Sequence, residues 1–301
     1  MKKLLFIYNP HAGKGQVRNK AGDIINAFTR SGCLCTAYPT QAPGDAAKAA
    51  KELAPGYDRL AVCGGDGTLH EVISGLMELP ESARPPIGYL PAGTTNDYAR
   101  NLYLPRGFED MAALAATGEP RAVDIGRLGS HYFIYVAAFG AFTDVAYNTP
   151  QQFKNALGHL AYVLKGATEL ASLKSYHLRL EYDAGAVEGD YLYGMVSNTV
   201  SVGGVLGLPK EEVALDDGLL EAVLIEKPKT MAQLNAMILA LAKQEFSTEN
   251  GVVGLHSSRF HVACQESVPL TLDGEYGGSY QAGEILAVPG PVRLVFGPEA
   301  P

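Results

Sequence analysis

Three glycine-rich polar loops in the first hundred residues are the strongest constraint on how this chain folds. They are NPHAGKG at 9–15, CGGDGTLHE at 63–71 and LPAGTTNDYAR at 90–100. Each loop follows a short apolar run and precedes a stretch of helical character, an alternation typical of parallel strands covered by helices. Because the carboxyl ends of parallel strands meet at one edge of a sheet, we expect the three loops to gather where ligands of such folds bind.

The same alternation assigns elements to the whole first third of the chain. The predicted strands are Leu4–Tyr8, Leu34–Tyr38, Leu60–Cys63 and Ile87–Leu90, and the predicted helices are Gln16–Ser31, Asp45–Ala54, Thr68–Leu79 and Asn96–Leu102. Beyond about residue 121 the pattern becomes β-rich, and glycine-containing turns separate many of the runs. The later predicted strands are Tyr132–Ala138, His177–Tyr182, Tyr191–Val200, Leu219–Ile225, Phe260–Cys264 and Val268–Leu272, with helices at Gln152–Ser172 and Thr230–Lys243.

This pattern predicts two domains of different fold class. Residues 1–125 are expected to form an α/β N-terminal domain with a parallel sheet. Residues 126–290 are expected to form a C-terminal β-rich antiparallel domain, similar to a sandwich. The closing residues 291–301 are a candidate return to the first domain.

Charge and hydropathy argue against several classes of protein. The 301 residues carry a net charge of −8, so a broadly basic nucleic-acid-binding surface is not expected. The uncharged runs Tyr132–Thr143 and Thr230–Ala242 fall short of the roughly 20 residues that span a bilayer. The apolar run Leu4–Tyr8 is too short for a signal peptide. We expect a cytoplasmic protein, peripheral to the membrane, with its four cysteines reduced.

The three loops differ in how strongly they indicate a ligand. Gly13 and Gly15 allow close backbone approach to an anion, but this loop is neither a Walker A nor a GxGxxG motif, and a plain turn is an equal interpretation. The second loop surrounds Asp66 with three glycines, which suits a phosphate loop with a carboxylate that reaches magnesium. In the third loop, Asn96 and Asp97 can equally cap a helix.

Taken together, the motifs resemble the soluble diacylglycerol kinase family, which also contains sphingosine and ceramide kinases. The resemblance rests on Asn-Pro-x-Ala-Gly, Gly-Gly-Asp-Gly-Thr and Pro-x-Gly-Thr-x-Asn-Asp. Gly-Gly-Asp-Gly-Thr alone is less specific, because NAD kinases share it and phosphofructokinases carry a similar loop; the implied first-domain fold is NAD-kinase/phosphofructokinase-like. Segments similar to the family's later motifs are Val123–Gly126, Gly203-Gly204 with Pro209, Asp217–Leu219 and Leu272–Glu275.

The resemblance implies ATP as the phosphoryl donor and Mg2+ as its partner ion. The residues that would surround ATP are Asn9, Pro10, His11, Ala12, Gly13, Thr40, Gly65, Asp66, Gly67, Thr68, Leu69, His70, Glu71, Thr94 and Asn96. Thr40 is also readable as an ordinary helix cap. Magnesium and its waters would be organised by Asp66, Asn96, Asp97 and Asp124. Three carboxylates near a triphosphate would repel it without a cation, which favours magnesium dependence.

The resemblance also implies a general base and a second metal site. Glu275 is the candidate base, and with Asp66, Asp97 and Asp124 it completes the candidate catalytic set. The sequence around Glu275 alone is a strong hairpin-turn signal. Asp217, with the backbone oxygens of Ala214 and Leu219, resembles a structural magnesium site, although a turn before a strand is the alternative.

The function that these features predict is an ATP-dependent lipid kinase, with diacylglycerol as the favoured acceptor. The alternatives are a sphingoid base, ceramide or an undecaprenol-like lipid as acceptor, NAD kinase, and a catalytically silent nucleotide sensor. Expected partners are a lipid alcohol, a transiently contacted membrane surface and, by analogy with relatives, a second copy of the chain. An amphipathic stripe at Phe153–Ala171, with Lys154 and Lys165 nearby, suits either an anionic membrane surface or packing within its own domain.

Overall fold

The chain forms two compact units in its computed structural model. The structure describes residues 1–140, 174–199, 201–202, 206–207, 214–243, 245–298 and 300. One unit comprises Met1–Val123 with Gly290–Pro301, and the other comprises Asp124–Pro289. Two strands, at Pro120–Leu128 and Glu275–Val295, have residues in both units.

The first unit is a parallel sheet with helices, as the alternation predicts. Its elements are β1 Lys2–Tyr8, α1 Gln16–Arg30, β2 Cys33–Pro39, α2 Asp45–Leu53, β3 Arg59–Gly64, α3 Asp66–Met77, β4 Ile87–Pro91 and α4 Phe108–Thr117. The strand order is β2-β1-β3-β4, and the end of the last strand of the chain adds in parallel beside β4, with Leu294 opposite Ile87. Helix α1 buries Val17, Ile24 and Phe28 against this sheet, a spacing that places them on one helical face.

The strand register brings the three glycine-rich loops to one edge. Tyr8 at the end of β1 lies opposite both Pro39 of β2 and Cys63 of β3. Cys63 in turn lies opposite Leu90 of β4. The strands therefore end level with one another, and the loops that follow them emerge side by side.

Two details of this unit differ from the sequence-based expectation. The predicted helix Asn96–Leu102 is only a short 3-10 turn at Tyr98–Asn101. Asn96 has a φ of 51°, which a helix cannot accommodate. Helix α4 was not predicted at all, although it buries Met111, Ala112 and Ala115 in the core.

The second unit is antiparallel and β-rich, as predicted. Its elements are β5 Pro120–Leu128, β6 His131–Phe133, β7 Val136–Gly140, β8 Tyr176–Tyr182, β9 Gly185–Ser197, β10 Ser201–Val202, β11 Leu206–Gly207, β12 Leu220–Glu226, α5 Met231–Lys243, β13 Val252–Ser257, β14 Arg259–Leu272 and β15 Glu275–Val295. Strands β13-β12-β9-β7-β14-β15 are neighbours in that order, and β8 pairs with both β9 and β14. The core between them contains Phe133, Leu178, Val196, Leu224 and Phe260.

Strand boundaries in this unit also correct the sequence-based prediction. The predicted strand Tyr132–Ala138 is broken into β6 and β7, because the Ile134, Tyr135 and Val136 N–H groups donate to the Asp273 carboxylate. The predicted strands at 260–264 and 268–272 are one strand, β14, with a register shift against β15 between Ala263 and Val268. The pairing with β15 is interrupted there, which explains the apparent gap.

Some predicted features lie outside the described residues. These are the helix Gln152–Ser172 with its amphipathic stripe, and the segment containing Gly203, Gly204 and Pro209. Within the ranges that the structure describes, none of the helices combines the length and the apolar character needed to cross a bilayer.

Candidate functional site

The first and third glycine-rich loops of the first unit touch each other through their backbones. Gly13, Lys14 and Gly15 all have positive φ, at 61°, 57° and 83°. A Cβ on Gly13 would lie 3.0 Å from the Ala92 carbonyl oxygen. The position therefore needs glycine for both conformation and space.

The second and third loops approach even more closely. A Cβ on Gly93 would lie 2.6 Å from the Gly65 Cα and 2.8 Å from the Asn96 Oδ1. Asn96 holds this shape, since its Oδ1 accepts the Gly93 N–H at 2.7 Å and its Nδ2 donates to the Gly93 carbonyl at 2.9 Å. Thr68 packs against the same region, because a Cβ on Gly64 would lie 2.5 Å from its hydroxyl oxygen.

Asp66 links the second loop to the third. Its Oδ2 accepts the Asp97 N–H at 2.9 Å, and its Oδ1 accepts the Tyr98 N–H at 3.3 Å. Asp66 is also in the first turn of α3, where a negative side chain interacts favourably with the helix dipole. The carboxylate thus shapes the loop edge.

Tyr89 bonds to the second loop from the protein interior, and no sequence motif indicated this contact. Its hydroxyl donates to the Gly64 carbonyl at 3.2 Å, and the ring is buried. Burial raises the pKa of Tyr89 well above its usual value of 10.0, and the charge of Asp66 adds to this effect. The phenol therefore remains a protonated donor.

The residues predicted to surround ATP take two kinds of position. Asn9 begins the first loop, where its Oδ1 accepts the His11 N–H at 2.9 Å and its carbonyl accepts the Ala12 N–H at 3.2 Å. Thr40 lies at the same edge, since its N–H donates to the Tyr8 carbonyl at 2.9 Å. The edge also holds Pro10, Gly67 and the exposed Thr94.

Three predicted ATP residues on α3 make contacts within the protein. Leu69 is fully buried. His70 lies 3.5 Å from Ser74 on the same helix, measured between Nε2 and Oγ. Glu71 accepts the Gly44 and Ala46 N–H groups at 2.9 and 3.1 Å, so it caps the start of α2. Their role at ATP stays a prediction.

In the second unit, Asp124 is buried beside the loop that contains Asp217. The residue is 1% exposed, and its Oδ2 accepts the Gly218 N–H at 2.6 Å. Its own N–H donates to the Leu215 carbonyl at 2.7 Å. Asp217 is exposed and its Oδ1 accepts the Leu219 N–H at 2.9 Å. The sequence treated Asp124 and Asp217 as parts of different metal sites, but the structure makes them neighbours through Gly218.

Glu275 begins β15 directly after a tight turn. Leu272 and Glu275 face each other across the hairpin, and the two turn residues, Asp273 and Gly274, have φ values of 50° and 87°. These angles fit a two-residue type I′ turn, for which Asp-Gly is a preferred sequence. Glu275 is exposed, so the turn interpretation and the base interpretation are compatible.

The oxygen chemistry of these residues fits magnesium. Mg2+ prefers one or two carboxylates together with phosphate oxygens and waters, rather than an all-protein cage. The Asp97 backbone N–H donates to the Asp66 carboxylate at the loop edge, and Asp217 lies between Ala214 and Leu219, whose carbonyls are of the same hard-donor type. Among the described residues, no cluster of three or more His, Cys, Asp or Glu side chains could hold a metal ion by itself. The donor sets therefore suit an ion that is partly coordinated by nucleotide phosphate or water.

A parallel sheet whose glycine-rich loops gather at one edge is an arrangement suited to binding the phosphate groups of a nucleotide. Residues 3–128 match the diacylglycerol kinase catalytic domain. Residues 137–296 match the YegS C-terminal NAD kinase beta sandwich-like domain.

Relatives and solved structures extend these matches to nearly the whole chain. A diacylglycerol kinase of Bacillus subtilis is 36% identical over 282 residues, covering 92% of this chain and 91% of its own. One from Staphylococcus aureus is 34% identical and covers 93% and 88%. A solved Bacillus anthracis structure superimposes with a TM-score of 0.82 at 25% identity, covering 100% of this chain and 97% of that one. The chain therefore belongs to the diacylglycerol kinase family, and it is an ATP-dependent lipid kinase.

Proposed function

We propose that this kinase transfers the γ-phosphate of MgATP to the hydroxyl of a 1,2-diacylglycerol. In this reaction the hydroxyl oxygen bonds to the γ-phosphorus, the bond from that phosphorus to the β–γ bridging oxygen breaks, and the hydroxyl proton leaves, giving phosphatidate and ADP. The acceptor is supported by the relatives, which are named diacylglycerol kinase and match nine-tenths of the chain.

The observation that carries the nucleotide half of the proposal is the backbone contact between the three loops. Gly13 and Gly93 pack against Ala92 and Gly65 so closely that side chains are excluded. Such an edge lets triphosphate oxygens approach backbone N–H groups directly. Asn9 and Asn96 fix the loop shapes, and Asp66 ties the second loop to the third.

The carboxylates of the first unit suit the metal that accompanies ATP. Asp66 and Asp97, helped by Asn96, would hold Mg2+ and its waters, and the family resemblance adds Asp124 to the candidate residues for the metal. Bound magnesium would neutralise charge on the transferring phosphoryl group. Asp217, with the carbonyls of Ala214 and Leu219, would hold a second, structural ion.

Glu275 is the proposed general base. An alcohol is a weak nucleophile, and a carboxylate within hydrogen-bond reach accepts its proton as the new bond to phosphorus forms. Glu275 is exposed, so a substrate hydroxyl can reach it. Its position directly after a two-residue turn defines where its backbone lies.

The test measures transfer of labelled γ-phosphate from MgATP to separate acceptors: diacylglycerol in mixed micelles, monoacylglycerol, sphingosine, ceramide, undecaprenol and NAD. Glu275→Gln removes the base, and Glu284→Gln is the matched control, since Glu284 lies on the same strand. We expect label in phosphatidate, a fall of roughly 100- to 10,000-fold with Glu275→Gln, and wild-type turnover with Glu284→Gln.

Other outcomes would replace specific parts of the proposal. Label in a different lipid would keep the phosphoryl-transfer chemistry and change the acceptor. Label only in NADP would contradict a lipid acceptor, and binding of MgATP without transfer would indicate a nucleotide sensor. Full activity in Glu275→Gln would remove Glu275 as the base. Transient contact with a membrane surface follows from the proposed acceptor, and a homodimer stays a prediction.

A further inference from the structure

Asp273, which precedes the candidate base by two residues, is held in an uncommon way for a hairpin turn. Its carboxylate accepts three consecutive backbone N–H groups, from Ile134 at 2.7 Å, Tyr135 at 3.0 Å and Val136 at 3.1 Å. Its own N–H donates to the Val136 carbonyl at 2.8 Å. The residue is 4% exposed, whereas Gly274 and Glu275 beside it are exposed.

These bonds tie the turn to the protein interior. Hydrogen bonds to an ionised acceptor are shorter and about twice as strong as neutral ones. A buried carboxylate without such partners would be costly, so the contact favours a single position of the turn. Because Glu275 follows this anchor after a single intervening residue, the Asp273 contacts also restrict where the Glu275 backbone lies.

Hydrogen bonds through Asn198 connect the anchored segment, residues 134–136, to Asp124. The Tyr135 carbonyl accepts the Asn198 N–H at 3.1 Å. The Asn198 side chain, which is 0% exposed, donates from Nδ2 to the Asp124 carbonyl at 2.7 Å and to the Leu215 carbonyl at 3.3 Å. A continuous path therefore runs from the Glu275 turn through Asp273, segment 134–136 and Asn198 to Asp124.

We propose that Asp273 is a positioning residue for phosphoryl transfer, which fixes Glu275 relative to Asp124 through segment 134–136 and Asn198. In this proposal Asp273 acts through Glu275, since its buried carboxylate accepts the three backbone N–H groups. The inference rests on the proposed role of Glu275 as the base. A base must lie within hydrogen-bond reach of the proton that it accepts, and a displacement of about 1 Å is enough to lower a rate about 100-fold.

The sharpest test is Asp273→Asn combined with Glu275→Gln in a double-mutant cycle. Asparagine suits a type I′ turn as well as aspartate does, so the turn signal is kept. The asparagine side chain, however, has only one acceptor oxygen, and its NH2 group cannot accept a hydrogen bond from the backbone N–H groups. We expect Asp273→Asn to lower kcat about 100-fold with the KM for ATP unchanged. In the Glu275→Gln background the same substitution should change kcat less than about threefold, because no base remains to be misplaced.

Asp183→Asn is the matched control. Asp183 is another turn aspartate of the second unit, and its Oδ2 accepts the Ser258 N–H and hydroxyl, each at 2.8 Å. These bonds fix the turn between β8 and β9, and that turn contains none of the proposed catalytic residues. We expect wild-type kcat in Asp183→Asn even where its thermal stability falls.

Should Asp273→Asn fail to fold, Gly274→Ala takes its place in the cycle. A Cβ there would meet only the Tyr135 hydroxyl, at 3.9 Å, so the substitution strains the φ of 87° without a steric clash. Equal losses of kcat from the turn variant in both backgrounds, or no loss in either, would overturn the positioning role. If Glu275→Gln alone keeps wild-type kcat, the base assignment fails, and the inference fails with it.

Discussion

The glycine-rich loops of the first unit and the carboxylates of the second unit are fixed by different kinds of contact. The loops follow directly from strand ends, and their shape comes from close backbone packing and from local bonds such as Asn96 to Gly93, three residues apart. The carboxylates depend on distant chain segments. Asp273 binds N–H groups 137 to 139 positions away, and Asn198 binds a carbonyl 74 positions away. The loops combine local bonds with packing of one loop on another, whereas the Asp273 and Asn198 contacts join only segments that lie far apart in the sequence.

The two arrangements should fail in different ways when they are perturbed. Close backbone packing has no tolerance for added atoms, so substitutions there act through steric overlap. A side-chain-to-backbone network fails by leaving buried polar groups unsatisfied, and its stability can depend on protonation.

Glu221→Gln should change how the free energy of unfolding depends on pH, and this should be the largest effect among these substitutions. Glu221 is 3% exposed on β12, and its Oε2 finds no hydrogen-bond partner in the part of the chain that the structure describes. Burial raises the pKa of Glu221 from 4.5 to about 8. The folded state therefore holds this proton more tightly than the unfolded state, so stability is fully present below about pH 4.5 and is lost as the pH rises through about 8.

The amide introduced by Glu221→Gln would remain neutral at all these pH values, so that variant should lack this part of the pH dependence. Wild type should lose on the order of 4 kcal/mol across the interval, and the variant should lose much less. Urea unfolding at pH 5 and pH 8.5 in EDTA measures both. Glu226→Gln, in a less buried position on the same strand, is the control. Parallel stability curves for wild type and Glu221→Gln would contradict the assignment.

Gly93→Ala tests the close packing of the first unit. The added Cβ would lie 2.6 Å from the Gly65 Cα, a backbone atom that cannot turn away. We expect a loss of about 3 kcal/mol in the free energy of unfolding. The KM for ATP should also rise, because the second and third loops would be forced apart. Gly15→Ala is a useful comparison, since nothing lies within 4 Å of its Cβ and only the φ of 83° is strained; a larger loss there than in Gly93→Ala would contradict the packing argument.

Much of the first unit could be predicted from sequence because its signals are local. Alternating apolar runs and glycine-rich loops located β1 to β4 and the helices α1 to α3. The 3-10 turn at Tyr98–Asn101 could not be predicted from the local sequence. It depends on the Asp66 carboxylate, which accepts N–H groups 31 and 32 positions further along the chain. Glu71 illustrates the same limit: a motif places it beside the second loop, but helix geometry turns it to the start of α2.

The second unit was harder to predict in detail. Its antiparallel character follows from the β-rich pattern, but the break between β6 and β7 depends on Asp273, far along the chain. Asn198 carried no motif, and its contacts with Asp124 and Leu215 arise only when β9 packs beside them. The metal, nucleotide and base roles of the residues named from the family resemblance stay predictions until activity is measured.

Asn198→Ala should destabilise the second unit by about 2 kcal/mol. The substitution withdraws the Nδ2 donor from the Asp124 and Leu215 carbonyls in a fully buried position, where water cannot easily replace it. Chemical unfolding measures the loss. Asn250→Ala is the matched control, because Asn250 bonds to the backbone of Glu245, Ser247 and Val252 at a more exposed turn. Equal losses in the two variants would show that burial of the Asn198 network adds nothing to its contribution.

Gly22→Ala should have the smallest effect, and the opposite sign. Gly22 lies within α1, and nothing lies within 4 Å of the position that its Cβ would take. Alanine in a helix interior is favoured over glycine by about 0.5–1 kcal/mol, because it loses less backbone entropy on folding. Thermal or urea unfolding should therefore show a slightly more stable protein, with turnover unchanged. Gly22 and Gly93 lie in the same unit. A close backbone contact requires glycine at position 93, whereas the space around position 22 would accept a larger residue. A loss of stability in Gly22→Ala would mean that α1 is packed more tightly than the open space around Gly22 indicates.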